Sequence, residues 1–256
     1  MSAAIALAGA ETAAAGPASE CDARADAHGV RLAQPGEPEW KPEIFPNIDR
    51  HTRYERVLIT IPGGSSQSTP AYHARADCSA SGLLLPLPDI DLERTPVLSW
   101  SWKIVRAPGG PDERSAAGDD FAARVYVLFR FDKEAASAPA WVAHGLLSRL
   151  LRRPAPGVTL NYVWTRRIAE GETWRNPSVA STRMLAIRSE ADASARGPGE
   201  EAGWVRERVD VRADYLRLMG GSEPKGVLAL AIMTDSDAVC DTAEALFADF
   251  RFECSP

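Results

Sequence analysis

Apolar and polar positions alternate along most of this chain in short runs, the period of a strand with one packed face. The clearest case is 97–105, where Trp100, Trp102 and Ile104 share one face and Ser99, Ser101 and Lys103 the other. Similar runs bounded by turn residues predict strands at 56–61, 71–76, 82–85, 121–131, 158–164, 183–188, 204–210, 227–233 and 245–252. Two stretches change period. Trp141, Val142, Leu146, Leu147, Leu150 and Leu151 carry helical spacing over 139–152, stopped by Pro154. A shorter helix over 211–219 closes on Gly220-Gly221, as a left-handed C-terminal cap requires. Roughly ten strands with two short peripheral helices predict an all-β fold, a β-sandwich or jelly roll. Residues 1–40 lack any sustained period and read as a flexible N-terminal segment, leaving 41–256 as a single domain with a surface excursion at 190–202.

Composition narrows the function classes. With 256 residues and 45% hydrophobic content the chain can bury a full core. A net charge of −6 argues against nucleic acid as the main partner. Two local basic clusters, Arg149, Arg152 and Arg153, and Arg166 with Arg167, read either as solvated faces or as an anchor for an anionic ligand. No apolar run is long enough for a membrane span. Ala6-Leu7-Ala8 and Ala13-Ala14-Ala15 resemble the tail of a secretory signal, although the charged leading region is missing, and a periplasmic or secreted location is expected. The four cysteines, Cys21, Cys78, Cys240 and Cys254, fit no zinc pattern. A Cys240–Cys254 bridge across a short loop is the expected pairing, with buried free thiols as the alternative.

No nucleophile elbow, phosphate-binding loop, dinucleotide fingerprint or His-Glu-x-x-His is present. What remains is carboxylates at strand ends: Asp119 and Asp120, then Asp235, Asp237 and Asp241, and Asp249 inside the last strand. Paired carboxylates can do acid and base work on a glycosidic bond. Oxygen ligands can also hold calcium, but the spacing is not that of an EF-hand, and no other cofactor is expected. Each aspartate can equally cap a turn. Arg124 interrupts an apolar strand, so it points into a groove or meets a carboxylate. On 158–164, Tyr162 and Trp164 alternate with Asn161 and Val163, an arrangement of rings and amide that suits sugars.

These residues resemble a known family. The segments Asp119-Asp120-Phe121-Ala122-Ala123-Arg124-Val125-Tyr126-Val127, Leu160-Asn161-Tyr162-Val163-Trp164, Asn176-Pro177, Asp214-Tyr215, Ala231-Ile232-Met233-Thr234-Asp235-Ser236-Asp237 and Ala248-Asp249-Phe250-Arg251-Phe252 are similar to the bacterial family filed as domain of unknown function 3047, over about residues 50–253. The resemblance implies a β-sandwich, usually exported, with no assigned reaction. The family pattern follows Thr-Asp-x-Asp with an Asn-Thr-Gly-like turn, where this chain has Ala238-Val239-Cys240-Asp241.

Three functional readings follow. The first is an exported protein binding a carbohydrate or other small polyhydroxylated ligand, with Asp119, Asp249 and Arg124 on the rim and Asn161, Tyr162 and Trp164 lining the groove. The second is a glycan hydrolase or lyase with Asp120 and Asp235 or Asp237 as acid and base, and Arg124 neutralising a substrate carboxylate. The third is a structural or envelope-interaction module whose aspartates only hold turns.

Overall fold

Period-2 runs that each have one apolar face must cover those faces against one another, and two stacked sheets are the result. The computed structural model describes residues 30–255 apart from 33–34, 38, 62–67, 135, 152, 192–202 and 221. The Ala-rich N-terminal stretch, Cys21 and most of the 190–202 excursion therefore lie outside the described residues.

The six-stranded sheet contains β1 (Val30–Arg31), β3 (Arg53–Ile59), β4 (Thr69–Asp77), β6 (Val97–Arg106), β11 (Trp204–Asp210) and β13 (Thr242–Glu253). Its order is β11-β6-β13-β4-β3, with β1 beside the end of β13. The seven-stranded sheet contains β2 (Lys41–Glu43), β5 (Ala80–Pro86), β7 (Arg124–Phe129), β8 (Thr159–Thr165), β9 (Thr173–Arg175), β10 (Thr182–Ser189) and β12 (Val227–Asp235). Its order is β2-β5-β12-β7-β8-β10-β9, antiparallel except for the β8–β10 pair. Trp100, Trp102, Phe247, Phe250 and Phe252 from the first sheet meet Val125, Val127, Leu160, Tyr162, Leu230 and Ile232 from the second in one core. Each such side chain, fully buried, contributes about 1.5–3 kcal/mol.

The last strand needs a correction to its parity to make this core. Phe247 faces inward, and strict alternation would put Asp249 inside as well. Instead the β13–β6 register shifts between Ala248 and Arg251, and Asp249 takes φ 57°, so that Phe250 and Phe252 face the core. Aspartate tolerates that left-handed conformation better than most residues.

Two helices join the sandwich, α1 (Ala138–Leu151) and α2 (Val211–Met219). α2 begins where Asp210 accepts a hydrogen bond from the Ala213 amide at 2.8 Å and ends at Gly220, φ 77°. The ordered body also starts earlier than the sequence pattern suggests. β1 pairs with Arg251 and Phe252, and Leu32 and Trp40 are buried, so part of the segment expected to be flexible belongs to the sandwich.

The cysteine pairing expected from the sequence is corrected. Cys78, in the turn between β4 and β5, is bonded to Cys240, in the turn between β12 and β13. Cys254 is disulfide-bonded as well, not to Cys240, and no free cysteine occurs among the described residues.

Candidate functional site

The seven-stranded sheet has a second face, turned away from the core. On β12 it carries Ala231, Met233 and Asp235, and on β7 Arg124, Tyr126 and Leu128. The register sets Arg124 opposite Met233, and Tyr126 opposite Ala231. A groove of ≈ 680 Å³ runs over this face, walled by the 43–48 segment after β2 and by the 176–179 turn before β10.

At one end of the groove the two acidic turns meet. Gly118 starts the first of them. A Cβ there would lie 2.4 Å from the Asp112 carbonyl oxygen, so only glycine lets the chain turn into Asp119 and Asp120. The Asp235 amide donates to the Phe121 carbonyl at 3.2 Å, the Phe121 amide to Asp235 Oδ1 at 3.2 Å, and Thr234 Oγ1 to the Ala122 carbonyl at 2.7 Å. The turn after β7's leading loop is thus fastened to the end of β12. Carboxylate oxygens of Asp120, Asp235 and Asp237 lie within 4.8 Å of one another.

Arg124 organises this end. Its guanidinium is only 2% exposed and sits 4.3 Å over the Phe121 ring. Nε donates to Asp235 Oδ1 at 2.8 Å and Nη1 to Asp119 Oδ1 at 3.0 Å, while Nη2 bonds Asp235 Oδ2 and the Asp119 carbonyl. Asp119 Oδ2 accepts in turn from Asn176 Nδ2 at 3.0 Å, and Asn176 Oδ1 holds the Ser178 and Val179 amides. Burial pushes the Asp235 carboxyl upward, opposed by the Arg124 charge and hydrogen bonds. Burial also raises Asp120, against the Val239 and Ala238 amides that donate to its two oxygens at 2.7 and 3.2 Å.

The three-carboxylate cluster has oxygen donors of the type calcium takes, and its fit to a cation can be read from the bonds. Both oxygens of Asp120 and both of Asp235 already accept hydrogen bonds, and those on Asp235 include a guanidinium. Asp237 is the one carboxylate of the three with no hydrogen bond or ion pair among the described residues. A cation there would have to displace Arg124 or sit beside it.

Several expected site residues lie elsewhere. Tyr162 and Trp164 do not line the groove. They face the core, Tyr162 with its ring 5.8 Å from Trp100 and its hydroxyl bonded to Asp214, and Trp164 5.8 Å from Trp102. Asn161 does face the outer side beside Tyr126, yet it is fully buried under its neighbours, its amide nitrogen 3.2 Å from Met184 Sδ. Asp249 belongs to the other sheet, where Arg206 and Arg251 donate to its two oxygens at 3.2 and 2.8 Å; it holds the β13 bulge. Asp241 serves the backbone, accepting from the Gly109 amide at 2.8 Å. Glu113 holds the backbone amides of Arg166 and Arg167, and Arg166 Nη2 donates to the Gly110 carbonyl at 2.8 Å. Arg124 is saturated by protein carboxylates and cannot neutralise one on a substrate. Tyr126 and Asn176 line the groove without having been singled out for it. The alternation that places Tyr126 beside Arg124 on one face was a signal for the first.

Comparison with solved structures places three carbohydrate-binding modules among the similar chains. A family 11 module of a Clostridium thermocellum cellulosomal cellulase shares 8% identity over 89% of this chain and 96% of that one, TM-score 0.40. A family 30 module of another cellulosomal cellulase of the same organism shares 12% over 88% and 92%, TM-score 0.36. A module of family 28 specific for non-crystalline cellulose shares 10% over 88% and 97%, TM-score 0.34. No curated protein matches the sequence. The family described as "Protein of unknown function (DUF3047)" matches residues 38–251, most of the chain, and the protein belongs to it.

Proposed function

We propose that this is an exported protein that binds a carbohydrate or another polyhydroxylated ligand in the groove on the outer face of the seven-stranded sheet. The observation that carries the reading is the groove's division of labour. Its floor is apolar, with Leu84, Leu128, Ala231 and Met233, while its sides offer the Tyr126 and Thr159 hydroxyls, Asn176, Asp119 and Asp237. Pyranose rings need both: a flat apolar surface for their C–H faces and paired acceptors and donors for their hydroxyls. A volume of ≈ 680 Å³ falls within the range of small-molecule sites. Because Arg124 is buried and paired with Asp119 and Asp235, and Arg153 is paired with Glu43, the groove lining among the described residues offers no free cation for a uronate, and a neutral sugar is the better match. The Cys78–Cys240 disulfide supports an oxidising, extracytoplasmic location.

The test is titration calorimetry against a panel of neutral and acidic oligosaccharides. Tyr126→Ala and Asp237→Asn, both at partly exposed positions, are expected to weaken binding by about tenfold each while leaving the melting temperature within a few degrees. Unchanged affinity in both variants would remove the groove from the binding reading.

One observation favours a second reading, a glycan hydrolase or lyase. Asp120 and Asp237 converge at the groove end, and burial holds the Asp120 carboxyl above its usual range, as a general acid needs. In that case Asp237→Asn abolishes the release of reducing ends, and a binding protein releases none in either form.

A further inference from the structure

Among the described side chains, α1 meets the rest of the protein through His144 and Ser148. The His144 ring stacks on Phe131 with centroids 3.9 Å apart, His144 Nε2 donates to the Ala155 carbonyl at 2.9 Å, and Ser148 Oγ accepts from the Ala155 amide at 3.0 Å. The helix surface beside these contacts is bare. Trp141, Val142 and Leu146 are 55%, 62% and 69% exposed, and a Cβ built on Gly145, between them, meets nothing within 4 Å. These are three of the seven large apolar side chains that the described residues leave exposed, gathered on one helical stripe at positions i, i+1 and i+5.

The charge lining the hollow beside this stripe has one sign. Among the described residues, Arg130, Lys133 and Arg149 are the charged ones lining the hollow of ≈ 880 Å³ beside it. Nearby, Glu134 is occupied by Lys225 at 2.6 Å and Asp132 stands next to Lys133. From residue 135 to 169 the sequence holds no aspartate or glutamate, in a chain whose net charge is −6. We infer that α1 docks the protein on an anionic lipid surface, with Trp141, Val142 and Leu146 entering the headgroup boundary and Arg130, Lys133 and Arg149 meeting lipid phosphates.

Three features select this occupant. A tryptophan and aliphatic side chains that project outward, rimmed by cations, are what an interfacial helix presents to a bilayer. Self-association through the same patch would be isologous, bringing each arginine and lysine against its own copy without an anion between them. The basic rim also complements phosphate, each cation near a charged leaflet contributing about 1 kcal/mol. The sugar groove is not involved, as it lies over the opposite end of β7 and β12, so the two activities can be tested apart.

The experiment is cosedimentation of the intact protein with phosphatidylcholine vesicles and with mixed phosphatidylcholine–phosphatidylglycerol vesicles, at low and high salt. Wild type is expected to sediment with the mixed vesicles only, and less so at high salt. Trp141→Ser combined with Leu146→Ser should lower partitioning about tenfold or more, and Arg149→Glu, at an exposed position, should lower it separately. Circular dichroism melts of both variants control for folding, and oligosaccharide titration should be unchanged. Absence of binding to anionic vesicles overturns the inference. So does equal binding to neutral vesicles, a concentration-dependent dimer lost in the serine variant, or retention on an acidic polypeptide without vesicle binding.

Discussion

At the scale of single residues, Arg124 sets the cost of altering the candidate site. It is buried with two carboxylates and a carbonyl around it, so replacing it strands charges rather than simply deleting a contact. Arg124→Met is expected to lower stability by about 3–5 kcal/mol in urea titration, and adding Asp235→Leu should recover part of that loss. A double variant no more stable than the single one would show that the pair is not a unit. Glu207 gives a pH signature of its own. Burial raises its carboxyl above the usual glutamate range, against the Arg188 bond at 2.8 Å and the Trp102 indole bond at 3.0 Å. A raised carboxyl means that the folded state holds the proton more tightly than the unfolded chain. Its contribution is therefore most favourable below the ordinary glutamate value and is lost as pH rises through the folded value. Relative to Glu207→Gln, wild type should lose stability across that interval on going from acid toward neutral pH. Denaturant titrations of both proteins through the interval check this, and a constant difference contradicts it.

At the scale of elements, the longer strands and both helices were legible because each extends over enough residues for its period to show. β1, β2 and β9 were not, being two or three residues long and set by their partners rather than by any pattern of their own. Alternation also has a built-in ambiguity, visible in β8. It separates Asn161 and Val163 from Tyr162 and Trp164, but it does not say which set faces the core. The neighbouring sheet decides, because Trp100 and Trp102 fill the interior with rings and the β8 aromatics complete that packing. Asp249 misled for a related reason. A carboxylate interrupting an apolar run reads as a ligand, whereas here the interruption is the extra residue of a bulge that keeps Phe250 and Phe252 inside. The meeting of the two acidic turns was more legible. Each adjoins the end of a long apolar strand, and antiparallel pairing of β7 with β12 puts those ends side by side.

At the scale of the molecule, the Cys78–Cys240 bond ties together two of the turns in which the chain passes between the sheets, from β4 to β5 and from β12 to β13. Cys240 takes a φ of 52°, a left-handed conformation that glycine adopts most readily. The residues just before it matter to the groove, since the Ala238 and Val239 amides hold Asp120 and Asp237 supplies the unbonded carboxylate. With a sequence separation of 162 between the cysteines, the crosslink removes much of the freedom of the unfolded chain. Cys78→Ala with Cys240→Ala is therefore expected to cost about 2–5 kcal/mol in denaturant titration. This variant isolates the bond better than reductant does, because Cys254 is also disulfide-bonded. Local opening of the turn should precede global unfolding, since its end of the groove depends on a few backbone bonds. Amide exchange at Ala238 and Val239 should accordingly rise more in the variant than exchange in β6 or β13. Equal acceleration everywhere would mean that the bond stabilises the sandwich as a whole and leaves the groove end to its own hydrogen bonds.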